Sequence, residues 1–464
     1  MWFPVAGNGK RGAVAVRWLL RSTTPRYASA MLEPRGETKD RTSVELFAGG
    51  GGLAMAIHRA GFRPLLVNEL VKWACKTLEA NKAELRGDEE FIPSVGQAWP
   101  LVPGDVRDIK FDYLWDQVDL LAGGPPCQPF SLGGVAKGDE DRRNMFPEMF
   151  RAIRDIQPKA VICENVQGLL RPSFRPYFEY IERELALPFE QREEGVSWRE
   201  HDAVLQARLS EAPADPKKRY EVVTTRVNAA DYGVPQMRNR IIIVAFRCDL
   251  EVDLRRFEAS IAPTHSEAAL LRSIQDGSYW RKHPEVPYHV REHVKSRLPQ
   301  AIPFDDGKLP WLTLRDALKE EIDRRRPLPP VPWDKLDRRE YELGGVLDHI
   351  GWPDARIYQG HTPNELDRPA KTVKAGVHGV PGGESVMLTD DPLSEPSAVS
   401  PLRYRHRYMT VREAARVMTF PDSWILKGPR SEQMRQLGNA VPVRLGEFFA
   451  RAIAGALDEA ESRR

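Results

Sequence analysis

A run of four glycines at positions 49–52 joins the short apolar segment TSVELF to the helix-patterned LAMAIHRAGF. Glycine between a strand and a helix lets the backbone approach a ligand closely, and the helix start offers unpaired N–H groups. Apolar residues at Leu53, Ala56, Ile57 and Ala60 recur at helical spacing. The next apolar segment, RPLLVNEL, ends in an acid. Strand, loop, helix and strand in this order predict a βαβ unit, and therefore a parallel sheet covered by helices on both faces.

The rhythm continues through VDLLAGGPPCQPFS, PKAVICENV and the long apolar strand NRIIIVAF. Residues 180–218 are charged and helix-prone, and read as a solvated helical insertion in this first domain. After about residue 250 the alternation stops. Residues 251–425 are rich in Pro, His, Arg and Asp, which predicts a smaller second region mostly of loops and short strands. VREAARVMTF (411–420) and GEFFARAIAGALDEAES (446–462) are again helical. The expected organisation is an extension at 1–40, a doubly wound α/β domain at 41–250, the small region at 251–425, and a segment at 426–464 that returns to the first domain.

Composition narrows the class. Of 464 residues, 41% are hydrophobic, enough for a packed core, and the net charge of +2 does not announce a nucleic-acid binder. Any basic surface must therefore be local. The four cysteines (Cys75, Cys127, Cys163, Cys248) form no C-x-x-C pair and stand near no histidine at zinc-ligand spacing, so no metal site is expected. So few thiols suggest a reducing, cytoplasmic setting. No apolar run reaches the length of a membrane helix. Residues 1–30 carry Lys10, Arg11, Arg17, Arg21 and Arg26 and no acid. A targeting peptide has that composition, but a disordered extension, or a start placed too early with Met31 the true start, is the simpler reading.

Four loops at strand ends carry candidate chemistry. The first is FAGGGG (47–52), supported by Glu69 at the end of the second strand and by Asp105 in PGDVRDI. An acid at the first position can hold ribose hydroxyls, and one at the second can accept from an adenine amino group, although both could be ordinary loop acids. The second is GGPPCQPFS (123–131), where flanking prolines fix the backbone around Cys127. Cys163 and Cys75 sit in apolar contexts and read as core; Cys127 does not. The third is Glu164-Asn165-Val166 and the fourth QMRNR (236–240). Loops at the carboxyl ends of one sheet converge on one crevice.

These motifs, with TVREAARVMTFPDSW (410–424) and QLGNAVPV (436–443), stand in the order found in the DNA cytosine C5-methyltransferases, and the chain resembles that family from Thr42 to about Phe449. The resemblance implies a class I, Rossmann-like methyltransferase fold with a target-recognition domain, and S-adenosylmethionine as donor. It implies that Cys127 adds to cytosine C6, Glu164 acts at N3, and Arg240 with Arg238 stabilises charge on the base. It assigns Phe47, Ala48, Gly49, Gly51, Gly52, Glu69, Asp105, Pro126 and Asn439 to the donor site. Gln128, Ser131 and Asn165 would lie on the substrate side, and residues 131–143 would form the mobile loop that closes over a flipped base. Lys371, Lys374 and His378, in the Gly-, Lys- and His-rich stretch 356–384, are candidate DNA contacts or the edge of a structural hairpin. The implied partner is double-stranded DNA, and the implied enzyme is a monomer working at the nucleoid, either the modification enzyme of a restriction system whose endonuclease acts separately or an orphan methylase. A tRNA methyltransferase of the related type and an inactive DNA-binding relative are the alternatives.

Overall fold

The computed structural model describes residues 40–464 except 87–89, 127–143, 303, 321–325, 337–342, 344, 356, 358–361, 376–384 and 394–403. In chain order the first domain contains β1 (Arg41–Leu46), α1 (Gly52–Arg59), β2 (Phe62–Glu69), α2 (Lys72–Glu79), β3 (Ala83–Leu85), β4 (Trp99–Pro103), β5 (Leu120–Gly123), α3 (Phe146–Ile156) and β6 (Ala160–Val166). Then come α4 (Arg175–Ala186), α5 (Trp198–Leu209), β7 (Tyr220–Asn228) and β8 (Asn239–Arg247). One eight-stranded sheet has the order β3-β4-β2-β1-β5-β6-β8-β7. Neighbours from β3 to β6 are parallel, whereas β8 is antiparallel to both β6 and β7.

Two features of this topology place the site. β2 lies on one side of β1 and β5 on the other, so the loops that follow β1 and β5 splay apart and leave a crevice at the carboxyl ends. Because β8 runs backwards, its first residues lie at that same end: Arg240 stands opposite Val166, the last residue of β6.

Apolar side chains fill both faces of the sheet. On one, Val44, Leu46 and Leu121 meet Phe146, Met149 and Ile153 of α3 and Phe178 and Ile181 of α4. On the other, Leu53 and Ile57 of α1 meet Leu445, Phe449 and Ile453, spaced i, i+4, i+8 on the closing helix. Gly446 of that helix faces Ala56 so closely that a Cβ there would come within 2.8 Å. At the amino end of β1, buried Arg41 donates to Asp458 (2.5 Å) and Asp119 (3.3 Å), fastening the start of that strand to the last helix.

The helical insertion is less solvated than its charge suggests. Ser197 and Glu200 form a capping box at the start of α5. Its inner face then buries His201, Asp202 and Leu205. Asp202 pairs with Arg183 of α4 at 2.6 Å, and the Tyr180 hydroxyl lies 3.0 Å from His201 Nδ1.

The second region is also more helical than its broken sequence implies. It holds α6 (Leu254–Ser260), β9 (His265–Ser266), α7 (Glu267–Gln275), α8 (Ser278–Lys282), α9 (Tyr288–Ser296), β10 (Leu309–Pro310) and α10 (Leu314–Lys319). A hairpin of β11 (Val386–Pro392) and β12 (Tyr404–Tyr408) follows, then α11 (Val411–Val417), α12 (Arg430–Asn439) and α13 (Val443–Ser462). None of the helices between 254 and 319 exceeds nine residues, too short for a period to show. Side-chain caps start three of them instead: Asp253, Ser266 and Thr313 each accept from a backbone N–H of the first turn.

Candidate active site

The glycine loop is held open on one side and clamped on the other. Phe47 (φ 57°) and Gly49 (φ 55°) take left-handed conformations, and Gly51 (φ 87°) caps α1. For a phenylalanine that backbone is strained, as at many ligand sites. A Cβ on Gly49 would meet nothing within 4 Å, so the loop faces open space there. Gly51 is packed under Trp424, whose indole N–H donates to the Gly50 carbonyl at 3.0 Å. Gln436 covers Gly50, and its Oε1 accepts from Thr77 of α2. At Gly52 a Cβ would lie 2.4 Å from the Val441 carbonyl. The glycine loop is therefore braced by residues some 370 to 390 positions later in the chain.

Glu69 and Asp105 flank the open side. Glu69 accepts from Gly49 N (2.6 Å) and Val71 N (2.7 Å), which ties β2 to the loop. Burial pushes its carboxyl up, against the lowering effect of those N–H groups. Each oxygen keeps a second lone pair for a hydroxyl donor. Ala48 N donates to Asn68 O, and Asn68 in turn donates to the carbonyls of Val102 and Gly104, just before Asp105. Asp105 accepts from Arg107 through the backbone (3.0 Å) and the guanidinium (2.9 and 2.5 Å). Those bonds hold its carboxyl at about 2, fully ionised as an acceptor. Asn439 is the exposed last residue of α12. An open glycine loop with acids at the ends of adjacent strands fits a nucleoside-containing donor.

The other half of the crevice centres on an ion pair. Arg240 Nε lies 2.7 Å from Glu164 Oε1, both side chains being largely buried. Gly124 lies beside them: a Cβ there would be 3.7 Å from Glu164 Oε2. Asn165 donates to the Pro125 carbonyl at 3.1 Å, which fixes the proline loop two residues before Cys127. Pro126 accepts from Met145 N across the far side of that loop. Cys127, Gln128, Ser131 and His378 fall outside the described residues, as does the stretch 131–143.

Two expected contacts are otherwise engaged. Arg238 is 1% exposed, and its guanidinium donates to the carbonyls of Val373, Gly438 and Ala440. It is committed to main-chain acceptors, not left open toward a base. The Lys371 ammonium donates to the carbonyl and hydroxyl of Thr362. Lys374 is exposed, and its backbone presses on Gly438, where a Cβ would lie 2.4 Å from Lys374 C.

Sequence reading missed the braces Trp424 and Gln436, since nothing local to either residue signals a partner so far away. It also missed Glu45. That carboxyl lies in β1 two residues before Phe47, is 1% exposed, and neither oxygen has a hydrogen-bond partner among the described residues. Burial raises it well above the usual carboxylate range. An acid directly ahead of a glycine loop was the available signal.

Residues 41–187 and 217–455 match the family model described as C-5 cytosine-specific DNA methylase. The unmatched stretch between them contains α5. Type II methyltransferase M.Eco47II of Escherichia coli is 29% identical over 433 residues, 91% of this chain and 81% of that protein. Type II methyltransferase M.PspPI of Psychrobacter sp. (strain TA137) is 30% identical over 423 residues, 90% and 80% respectively. A crystal structure of a DNMT2 mutant from Spodoptera frugiperda superposes with a TM-score of 0.50 at 15% identity, covering 89% of this chain and 99% of that one. At that identity the likeness concerns the fold alone.

Proposed function

The chain belongs to the C-5 cytosine-specific DNA methylases, and we propose that it methylates a cytosine flipped out of a specific double-stranded DNA sequence, with S-adenosylmethionine as donor. It is a DNA cytosine-5 methyltransferase. The observation that carries the finer reading is the Glu164–Arg240 pair, set beside Gly124 and the anchored proline loop that leads into Cys127.

Cytosine C5 is a weak nucleophile until a group adds at C6. The Cys127 thiolate forms a bond to C6, and the C5–C6 electrons then make C5 the attacking atom. Glu164 donates a hydrogen bond or proton at N3, which keeps negative charge from building on the ring. Arg240 faces O2 with a fixed guanidinium and holds Glu164 in place. When bound, the donor supplies an electrophilic methyl group on a sulfonium. A base then takes the C5 proton, the electron pair returns to the ring, and the Cys127–C6 bond breaks. Glu69 would hold the ribose, Asp105 the adenine amino group, and Phe47, Ala48, Gly49, Gly51, Gly52, Pro126 and Asn439 the walls. Inside a stacked duplex the base cannot be reached, so it must leave the stack.

The relatives named above are Type II methyltransferases. By that likeness the enzyme serves as the modification partner of a separate endonuclease. Duplex DNA carrying 5-fluorocytosine tests the reading, because fluorine at C5 blocks proton loss and traps the covalent adduct. The expected result is a donor-dependent adduct on DNA that is absent in Cys127→Ala. Adducts on tRNA and on no duplex would overturn it.

A further inference from the structure

We propose that Arg238 is a positioning residue for the donor site: it caps the end of α12 and so places Asn439, while its neighbour Arg240 serves the base. The inference rests on the reading of Asn439 as a donor-site residue.

Arg238 Nη2 donates to Gly438 O (2.8 Å) and Ala440 O (3.0 Å), the two carbonyls on either side of Asn439. These belong to the last turn and C-cap of α12, where carbonyls lack intrahelical donors and the helix end is negative. A cation there is favoured. Nη1 reaches a third carbonyl, Val373 O, at 3.1 Å. The three acceptors meet because Gly438 has no side chain: a Cβ would lie 2.2 Å from Ala375 N and 2.4 Å from Lys374 C.

Among the described residues, no carboxylate accepts from Arg238. A desolvated guanidinium held only by carbonyls is costly to keep unless its geometry matters. Burial, with repulsion from Arg240, lowers it to about 9, so it remains a cation at neutral pH. The surrounding segment is as firmly set. Met237 N donates to Ala370 O, Ala370 N to Pro235 O, Thr372 Oγ1 to Met237 O, and Gln236 Nε2 to Met418 Sδ. Two residues on, Arg240 meets Glu164. One rigid stretch of chain thus fixes the end of α12 at one position and the base-facing pair at the next but one. A lysine would bring one ammonium in place of a planar fork and could not serve all three carbonyls.

The test is calorimetric titration with S-adenosylhomocysteine, without DNA, of the full-length protein and of Arg238→Lys, Asn439→Ala and the double variant. Gly438→Ala is included because it disturbs the same junction while leaving Arg238 in place. Expected are losses of affinity of at least tenfold in each single variant. The double variant should be no more than about twofold weaker than the worse single one. Steady-state kinetics of Arg238→Lys should show the donor KM rising by more than tenfold and kcat falling by less than threefold. Multiplicative losses in the double variant would overturn the coupling. A large fall in kcat with donor affinity intact would place Arg238 at the base and overturn the proposal. If Asn439→Ala binds as the parent does, the donor-site reading of Asn439 fails first, and the inference with it.

Discussion

Gly52→Ala sets a local rule against a tertiary one. Gly52 opens α1, and its backbone lies outside the left-handed region. By helix propensity alone, alanine there should stabilise the protein by about 1 kcal/mol. The packing says otherwise, since the new methyl would lie 2.4 Å from the Val441 carbonyl and 3.2 Å from both Ala440 Cβ and Phe420 Cζ. The nearest of these atoms is backbone and cannot swing aside as a long side chain would. Overpacking of this kind costs about 1–3 kcal/mol, so with the propensity gain subtracted the net loss is up to about 2 kcal/mol. Urea unfolding should show a lower midpoint at unchanged slope. S-adenosylhomocysteine should also bind less tightly, because residues 440–441 adjoin Asn439. Gly49→Ala is the contrast. Its methyl meets open space, but φ is +55°, so its cost of about 1 kcal/mol comes from backbone strain. A Gly52→Ala protein more stable than the parent would refute the claim that the chain's end is packed against the loop.

Three further outcomes follow from other parts of the molecule. Burial pushes Glu184 up to about 7, while Tyr180, Arg192 and Arg154 act to lower it and Asp202 to raise it. An acid raised on folding stabilises most below its ordinary value and loses that contribution as pH climbs toward 7. Glu184→Gln should therefore exceed the parent in stability at pH 8 by up to about 3 kcal/mol and converge with it near pH 5, read by urea unfolding. The opposite order would show that the carboxylate is stabilised by its cations. Arg240→Ala leaves the Glu164 carboxylate without its partner; it should cost about 3 kcal/mol of stability and slow single-turnover methylation about 100-fold or more. On α9, Tyr288, Arg291 and Lys295 share one face and line a groove of about 460 Å³ with Arg281. Arg291→Glu with Lys295→Glu should flatten the salt dependence of DNA binding, lowering the slope of log K against log salt by about 2; an unchanged slope would remove this face from the DNA footprint.

Much of the site was legible because its chemistry is concentrated at strand ends. FAGGGG, the acid of VNEL, ENV and QMRNR each announce themselves by a glycine run or by charge against an apolar strand, and the sheet gathers them at one end of its strands. The role of Arg238 was not legible. Sequence shows two arginines in one short motif, and only the fold reveals that one meets a carboxylate while the other disappears under three carbonyls. Lys371 is a similar case: a basic residue in a glycine-rich stretch looks available until Thr362 is seen to hold it. The insertion was legible as helix from its charged, helix-prone composition. The burial of His201, Asp202 and Leu205 depends on α4 and cannot be read from α5 itself.

The order of the chain also matters for when the site can exist. The glycine loop is made early, yet its clamps come from Trp424, Gln436 and Val441, and the first strand is fastened by Asp458. Contacts over such separations must overcome a large loop-closure entropy before they contribute stability. β8 adds a second delay, because Arg240 reaches Glu164 only after residues 175–228 have been threaded and the strand has reversed. A nascent chain that has folded its first five strands therefore has the glycine loop and the acids beside it but neither the clamp that shapes the loop nor the arginine that pairs with Glu164. The two halves of the crevice are finished by two different late segments, α12 and the one leading into β8, and Arg238 is the residue at which those segments meet. That is why the motif carrying Arg238 and Arg240 serves as the joint of the molecule as well as part of its chemistry.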